Sequence, residues 1–227
     1  TNGASFTSHG WDLGEGNVKD ENTRRNHTSR FEQGSGTLDG ESDWYRMIST
    51  DASTGRIDTM IARVDAQYNV LAYGLANELV RRFTRPLIEQ GFLPETPVLP
   101  EPFWTPLIKV NDASGNPLEP GGEWDITPQG GILIPFGLVN ATITMKGTYV
   151  RKGDVIRVSG KDIYTWELLI TVTIDLLGNQ SVIPVHLWFS DDPSGQIKLQ
   201  QETGTVTVPI IGSFPVPGDQ QELVSWQ

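Results

Sequence analysis

From Glu167 to Leu176, the residues Leu168, Ile170, Val172, Ile174 and Leu176 occupy every second position, with Glu167, Thr171, Thr173 and Asp175 opposite them and Leu169 the one exception. From Val182 to Ser190 the same period sets Ile183, Val185, Leu187 and Phe189 against Val182, Pro184, His186 and Trp188. A period of two sustained this long belongs to a strand with one dry face. Gly178 and Asn179, between the two stretches, supply a tight turn, so the pair reads as a hairpin. Weaker alternation recurs over 140–149, 154–159, 196–200 and 205–211, with turn signals at 111–115, 152–154 and 191–195. Short strands that each need a cover for one face predict a mainly β fold. We expect a β-sandwich or jelly-roll-like head over residues 104–227.

The segments before the head have different patterns. Ile57, Ile61, Val64, Tyr68, Leu71 and Leu75 recur in steps of 4, 3, 4, 3 and 4, which average to the seam of a coiled coil. Ser53 or Thr54 can cap a helix start, and Pro86 and Gly91 can end it. This predicts an amphipathic, coiled-coil-like helix over 53–92. It would associate with copies of itself or pack on its own head. Pro94, Pro97, Pro100 and Pro102 make 93–103 a stiff linker. Residues 1–52 are polar and Gly-rich, with isolated aromatics at Phe6, Trp11, Phe31 and Trp44. They read as an extended N-terminal arm, ordered by docking those rings on a neighbouring subunit or on its own domain.

Composition removes several classes of function. The 227 residues carry a net charge of −11, which disfavours nucleic acid as a partner because phosphates reward basic surfaces. No apolar run is long enough to insert in a membrane as a helix, and Thr1 to Gly10 lacks the basic-then-apolar pattern of a signal peptide. With no cysteine there is neither a disulfide nor a thiolate metal site.

The chemistry-bearing residues are sparse. The three histidines, His9, His27 and His186, stand in no nucleophile, zinc or dinucleotide motif. Glu167 and Asp175 share one strand face, but eight residues of strand put them roughly 26 Å apart, too far to act as a pair. The loop starting at Asp12 has Gly14 and Gly16 where an EF-hand needs oxygen ligands. No catalytic residue, cofactor or metal is expected. Three N-x-S/T patterns, at Asn26, Asn140 and Asn179, have meaning only in an exported chain. Among seven tryptophans, Trp166 is in phase with the apolar set and should join the core, whereas Trp188 falls on the wetter face beside His186. Trp188 and His186 are therefore candidates for a glycan platform or a packed interface.

The order of arm, helix, proline collar and β-head resembles accessory proteins of virus particles, the fibres and decoration proteins of tailed bacteriophages. The ladder over 57–75, the collar over 93–102 and the alternating head carry that resemblance. It implies a non-enzymatic virion structural protein, a capsid decoration, fibre or head–tail accessory. Such a protein would be a homotrimer joined through the helix and docked by its arm on other virion proteins. A second reading, of another class, is a secreted carbohydrate- or receptor-binding β-sandwich module that meets surface glycan through its tryptophans.

Overall fold

A computed structural model describes residues 5–33, 44–52, 55, 57–64, 70–73, 119–126, 131–136, 139–191, 194–209 and 212–227. The strands among them are β1 (Ser5–Leu13), β2 (Arg25–Gln33), β3 (Trp44–Asp51), β4 (Ile57–Val64), β5 (Val70–Tyr73), β6 (Glu123–Asp125) and β7 (Ile132–Phe136). They continue with β8 (Val139–Val158), β9 (Lys161–Leu176), β10 (Asn179–Asp191), β11 (Ser194–Gln201), β12 (Gly204–Val208), β13 (Gly212–Val216) and β14 (Gly218–Trp226). Two single 3-10 turns, Glu15–Asn17 and Glu21–Thr23, lie between β1 and β2.

Twelve strands form one sheet in the order β5-β4-β3-β2-β1-β14-β11-β10-β9-β8-β6, with β7 also paired to β8; β12 and β13 form a separate hairpin. The strongest alternation in the sequence builds the centre. β9 and β10 pair antiparallel from Asn179↔Leu176 to Phe189↔Trp166. Leu177 and Gly178 turn between them with φ of 54° and 85°, the left-handed pair that suits a twisted hairpin. Leu168, Ile170, Val172, Ile174 and Leu176 then share a buried face with Ile183, Val185, Leu187 and Phe189. The β12–β13 hairpin closes that face with Val206, Val208, Phe214 and Val216. Trp166 packs against this core and meets Phe189 edge-on at 5.0 Å.

β9 changes its dry side part-way. Ile163, Thr165 and Glu167 are buried at its start, and from Leu168 onward the even positions are buried instead. Ile163 belongs to a second core on the opposite face, with Val158, Ile197 and Leu223, and with Phe6, Ile156 and Trp226 packed against them. Each such fully buried aliphatic side chain stabilises by about 1.5–3 kcal/mol. To form this core, the β8–β9 hairpin tip must curl back over β14. Ser159 Oγ donates to the Val224 carbonyl there, and Lys161 Nζ lies 5.1 Å from the Trp226 ring centre. Bulges at Tyr149/Arg151 and Lys152/Asp154 in β8 supply the bend, since an extra residue raises local twist.

The fold is mainly β, as expected, and among the described residues it is a large antiparallel sheet with an added hairpin. Several expectations are corrected here. Residues 5–33 are not an extended arm: β1 and β2 are interior strands, and β1 pairs with β14 from Phe6↔Trp226 to Leu13↔Gly218. The helix over 53–92 does not form among the described residues. Ile57, Ile61 and Val64 lie in β4, paired with β3 from Thr50↔Ile57 to Trp44↔Arg63, and Leu71 lies in β5. The physical reason is that Ile57, Thr59, Ile61 and Val64 are β-branched and a step of four also keeps strand parity, so a neighbouring strand outcompetes a helical seam. Tyr68, Leu75 and the linker 93–103 lie outside the described residues. Residues 152–154, expected as a turn, are a bulge inside β8, with Gly153 at φ 93°.

One close approach tests this packing. Gly147 faces Trp124 across β8 and β6, and a Cβ there would fall 2.2 Å from Trp124 Cε2. We expect Gly147→Ala to cost at least about 1–3 kcal/mol, the scale of an overpacked core, read as a lower urea midpoint.

Candidate functional site

The face opposite the main core carries a chemically distinct row. Cross-strand register aligns Arg151, Glu167, Trp188, Lys198, Glu222, His9 and Asn26 on β8, β9, β10, β11, β14, β1 and β2. The next row in phase holds Thr148, Leu169, His186, Gln200, Gln220 and Trp11. A sheet face this polar and only partly exposed must satisfy its charges internally.

Glu167 shows how. Its side chain is 5% exposed, and His186 Nδ1 lies 2.9 Å from Oε1. Arg151 Nε stands 2.6 Å from Oε2, yet its N–H points to Asp154 Oδ2 at 3.1 Å, so Oε2 is paired by charge alone and accepts no hydrogen bond. His186 Nε2 reaches Glu202 Oε1 at 3.4 Å, which sets the imidazole between two carboxylates.

Two tryptophans on this face have matching surroundings. Trp188 donates from Nε1 to Asp154 Oδ2 at 3.1 Å, lies 5.9 Å from the His186 ring in a stacked arrangement, and has Lys198 Nζ 4.5 Å from its ring centre. Trp11 donates from Nε1 to Glu21 Oε2 at 3.2 Å, meets His9 edge-on at 5.8 Å, and has Lys19 Nζ 4.0 Å from its ring centre. Each ring thus holds a cation over its π face and a carboxylate on its N–H.

They differ in closure. Trp11 is 7% exposed, covered by the segment between β1 and β2, and its Lys19 forms an ion pair with Glu222 Oε1 at 2.9 Å. Trp188 and Lys198 are half-buried. Glu222, the cross-strand neighbour of Lys198, is taken by Lys19 and by the Gln220 amide. Lys198 is left with no carboxylate at ion-pair distance among the described residues. Burial, the largest influence, lowers its pKa from the ordinary 10.5, and nearby Glu222 opposes the shift.

At the Trp11 end, Arg24 Nη2 lies 2.9 Å from His9 Nε2 and 3.1 Å from Nδ1. One nitrogen this close to both ring nitrogens lies over the ring rather than in its plane. Burial first, then Arg24 and Lys19, lower the His9 pKa below 6.5 against the pull of Glu222.

Trp188 and His186 thus come together on the wetter face, as the alternation predicts. Of the two placements expected for the aromatics of residues 1–52, Phe6 and Trp11 take the second and pack within the chain's own fold. Phe31 and Trp44 lie in β2 and β3. Sequence reasoning missed Lys198, Gln200, Asp154, Arg151, Glu222 and Lys19 as partners. Their meeting depends on strand order and register, and Lys19 arrives from a loop. No group of acids and histidines suited to a metal occurs among the described residues.

No protein family and no curated protein matches the sequence. Among solved structures, a Bacteroides fragilis protein taken to be exported, with a YmcC-like fold, superposes at a TM-score of 0.50 with 12% identity, covering 100% of this chain and 96% of that one. A Parabacteroides distasonis protein taken to be a lipoprotein gives 0.47 at 11% identity, with the same coverage of 100% and 96%. What the chain shares with the first is its fold. Neither likeness bears on a virion.

Two predictions follow from this geometry. Arg151→Met should lower stability by about 1–3 kcal/mol, because it strips the cation from a buried carboxylate. Glu167→Met should cost less, since Arg151 is solvated and keeps Asp154; chemical denaturation of both variants gives the order. The lowered His9 pKa means that the unfolded chain binds this proton more readily than the folded one. Its stabilising contribution is therefore complete above 6.5 and declines as pH falls through the window below it. Between about pH 7.5 and about pH 5.5, the wild type should lose more of its urea midpoint than His9→Gln.

Proposed function

We propose that this chain is a non-enzymatic, exported protein that binds a carbohydrate on the polar face of its sheet. The observation that carries the reading is Trp188: a half-buried indole held in one orientation by Asp154, His186 and Lys198, with Gln200 and Gln220 in the adjoining row. Sugars offer apolar C–H surfaces and many hydroxyls. A fixed aromatic ring flanked by amides, carboxylates and a cation matches both. Pre-orientation of the indole removes part of the ordering cost of binding.

Export is supported by the B. fragilis neighbour, which is taken to be exported. The non-enzymatic part of the reading is supported by how the acids of this face are engaged. Glu167, Asp154, Glu202 and Glu222 are each tied to Arg151, Trp188, His186 or Lys19. The virion layout receives no support from the strands that replace its helix.

Binding should quench or shift the tryptophan emission when a glycan panel is titrated in. Trp188→Ala should remove that change and weaken binding roughly tenfold or more, about 1.4 kcal/mol, while Trp11→Phe should leave it in place. A flat response of the wild type across a broad panel would end this reading.

A further inference from the structure

The two tryptophan settings allow a more specific assignment, which rests on the carbohydrate reading. Around Trp11 the protein completes its own constellation: a lysine over the ring, a histidine beside it, a carboxylate on the indole N–H, and a second carboxylate, Glu222, on the lysine at 2.9 Å. Around Trp188 the first three elements recur and the fourth is absent. The other carboxylates near Trp188 are engaged elsewhere: Glu167 by His186 and Arg151, Asp154 by Trp188 and Arg151, Glu202 by His186. Lys198 is thus a half-buried ammonium with an aromatic contact and no counter-charge of its own among the described residues.

We propose that Lys198 recognises the carboxylate of an acidic sugar, so that the ligand is a uronic-acid-containing glycan and its carboxylate fills at Trp188 the place Glu222 fills at Trp11. The sugar ring lies against Trp188, and its acid group reaches the ammonium. Gln200, next to Lys198 in phase on β11 and across from His186, is placed to meet hydroxyls of the same or the adjoining unit. Partial burial of Lys198 strengthens such a pair, because screening by solvent is weaker there than on an open surface. The lowered pKa of Lys198 agrees with a cation whose desolvation is not yet compensated.

The experiment is calorimetric titration of the full chain with galacturonate, glucuronate and mannuronate oligomers. Each is paired with its carboxyl-reduced, neutral counterpart, and sodium acetate serves as the free-anion control. For at least one pair the acidic member should bind roughly tenfold or more tightly than the neutral one, the usual strength of a charged hydrogen bond. Lys198→Gln should bring the acidic member of the pair down to the affinity of its neutral counterpart, and a far-ultraviolet circular dichroism spectrum like that of the wild type shows that the variant is folded. Lys198→Arg should retain most of the ratio. Raising the salt concentration should weaken only the acidic member of each pair, a check that needs no variant. Equal affinity within every pair, or a ratio that survives Lys198→Gln, overturns the role of Lys198 and leaves the carbohydrate reading standing. Binding of acetate as tight as the uronides shows an isolated anion site and overturns it as well. No binding by either member of any pair overturns the uronide assignment, while the carbohydrate reading stands or falls on the broad glycan panel.

Discussion

The pairing of β1 with β14 holds this molecule together. It runs from Phe6↔Trp226 to Leu13↔Gly218 and joins two halves of a sheet that would otherwise each end in an open edge. β5 to β1 stand on one side of it, and β14, β11, β10, β9 and β8 on the other. The seam also concentrates charge. Asp12 and Asp219 are direct cross-strand partners, a repulsive arrangement that Arg25 on β2 resolves by bridging both, with its Nη2 2.6 Å from Asp219 Oδ1. Gln221 Nε2 adds a bond to the other Asp219 oxygen at 3.1 Å. Three strands are thus tied by one guanidinium.

The same curl that brings the β8–β9 tip over β14 gives the two faces unlike roles. One is dry over most of its length and roofed by the β12–β13 hairpin. The other is dry beneath the folded-back tip and around Trp11, and elsewhere it is a field of paired charges and aromatics. The switch of burial within β9, between Glu167 and Leu168, marks the border. Glu167 is buried because it sits there. It is tolerable because Arg151 and His186 sit beside it. A polar face of this kind trades some stability for a defined set of directions in which donors and acceptors point.

How much of this could be read beforehand varies along the chain. β9 and β10 were legible because each has one face continuously dry, and the same alternation correctly set Trp188 apart from Trp166. β1 was not legible. In Ser5–Leu13 only Gly10, Trp11 and Leu13 are buried, and its polar residues look like those of an arm until β14 and β2 are seen on either side. β4 misled for another reason: the apolar steps from Ile57 to Leu75 fit a seam, and nothing local announces that β3 lies alongside. The site was half legible. Trp188 and His186 are two apart on one strand, so their juxtaposition follows from period alone. Lys198 reaches them only through the pairing Trp188↔Lys198, set by a bulged register that a linear pattern does not encode.

The β1–β14 seam also bears on how such a chain can reach its native state. Its partners, Phe6 and Trp226, are about 220 residues apart. Closing so long a loop adds little to the equilibrium cost, because loop entropy grows only logarithmically. The effect falls on the rate instead. Hairpins such as β9–β10 can zip from their own turns early, whereas the seam must wait until both halves have taken shape and met. During that interval β1 and β14 each present an unpaired edge to any other extended chain nearby. The slowest contact to form is therefore also the one whose absence most exposes the protein to mispairing.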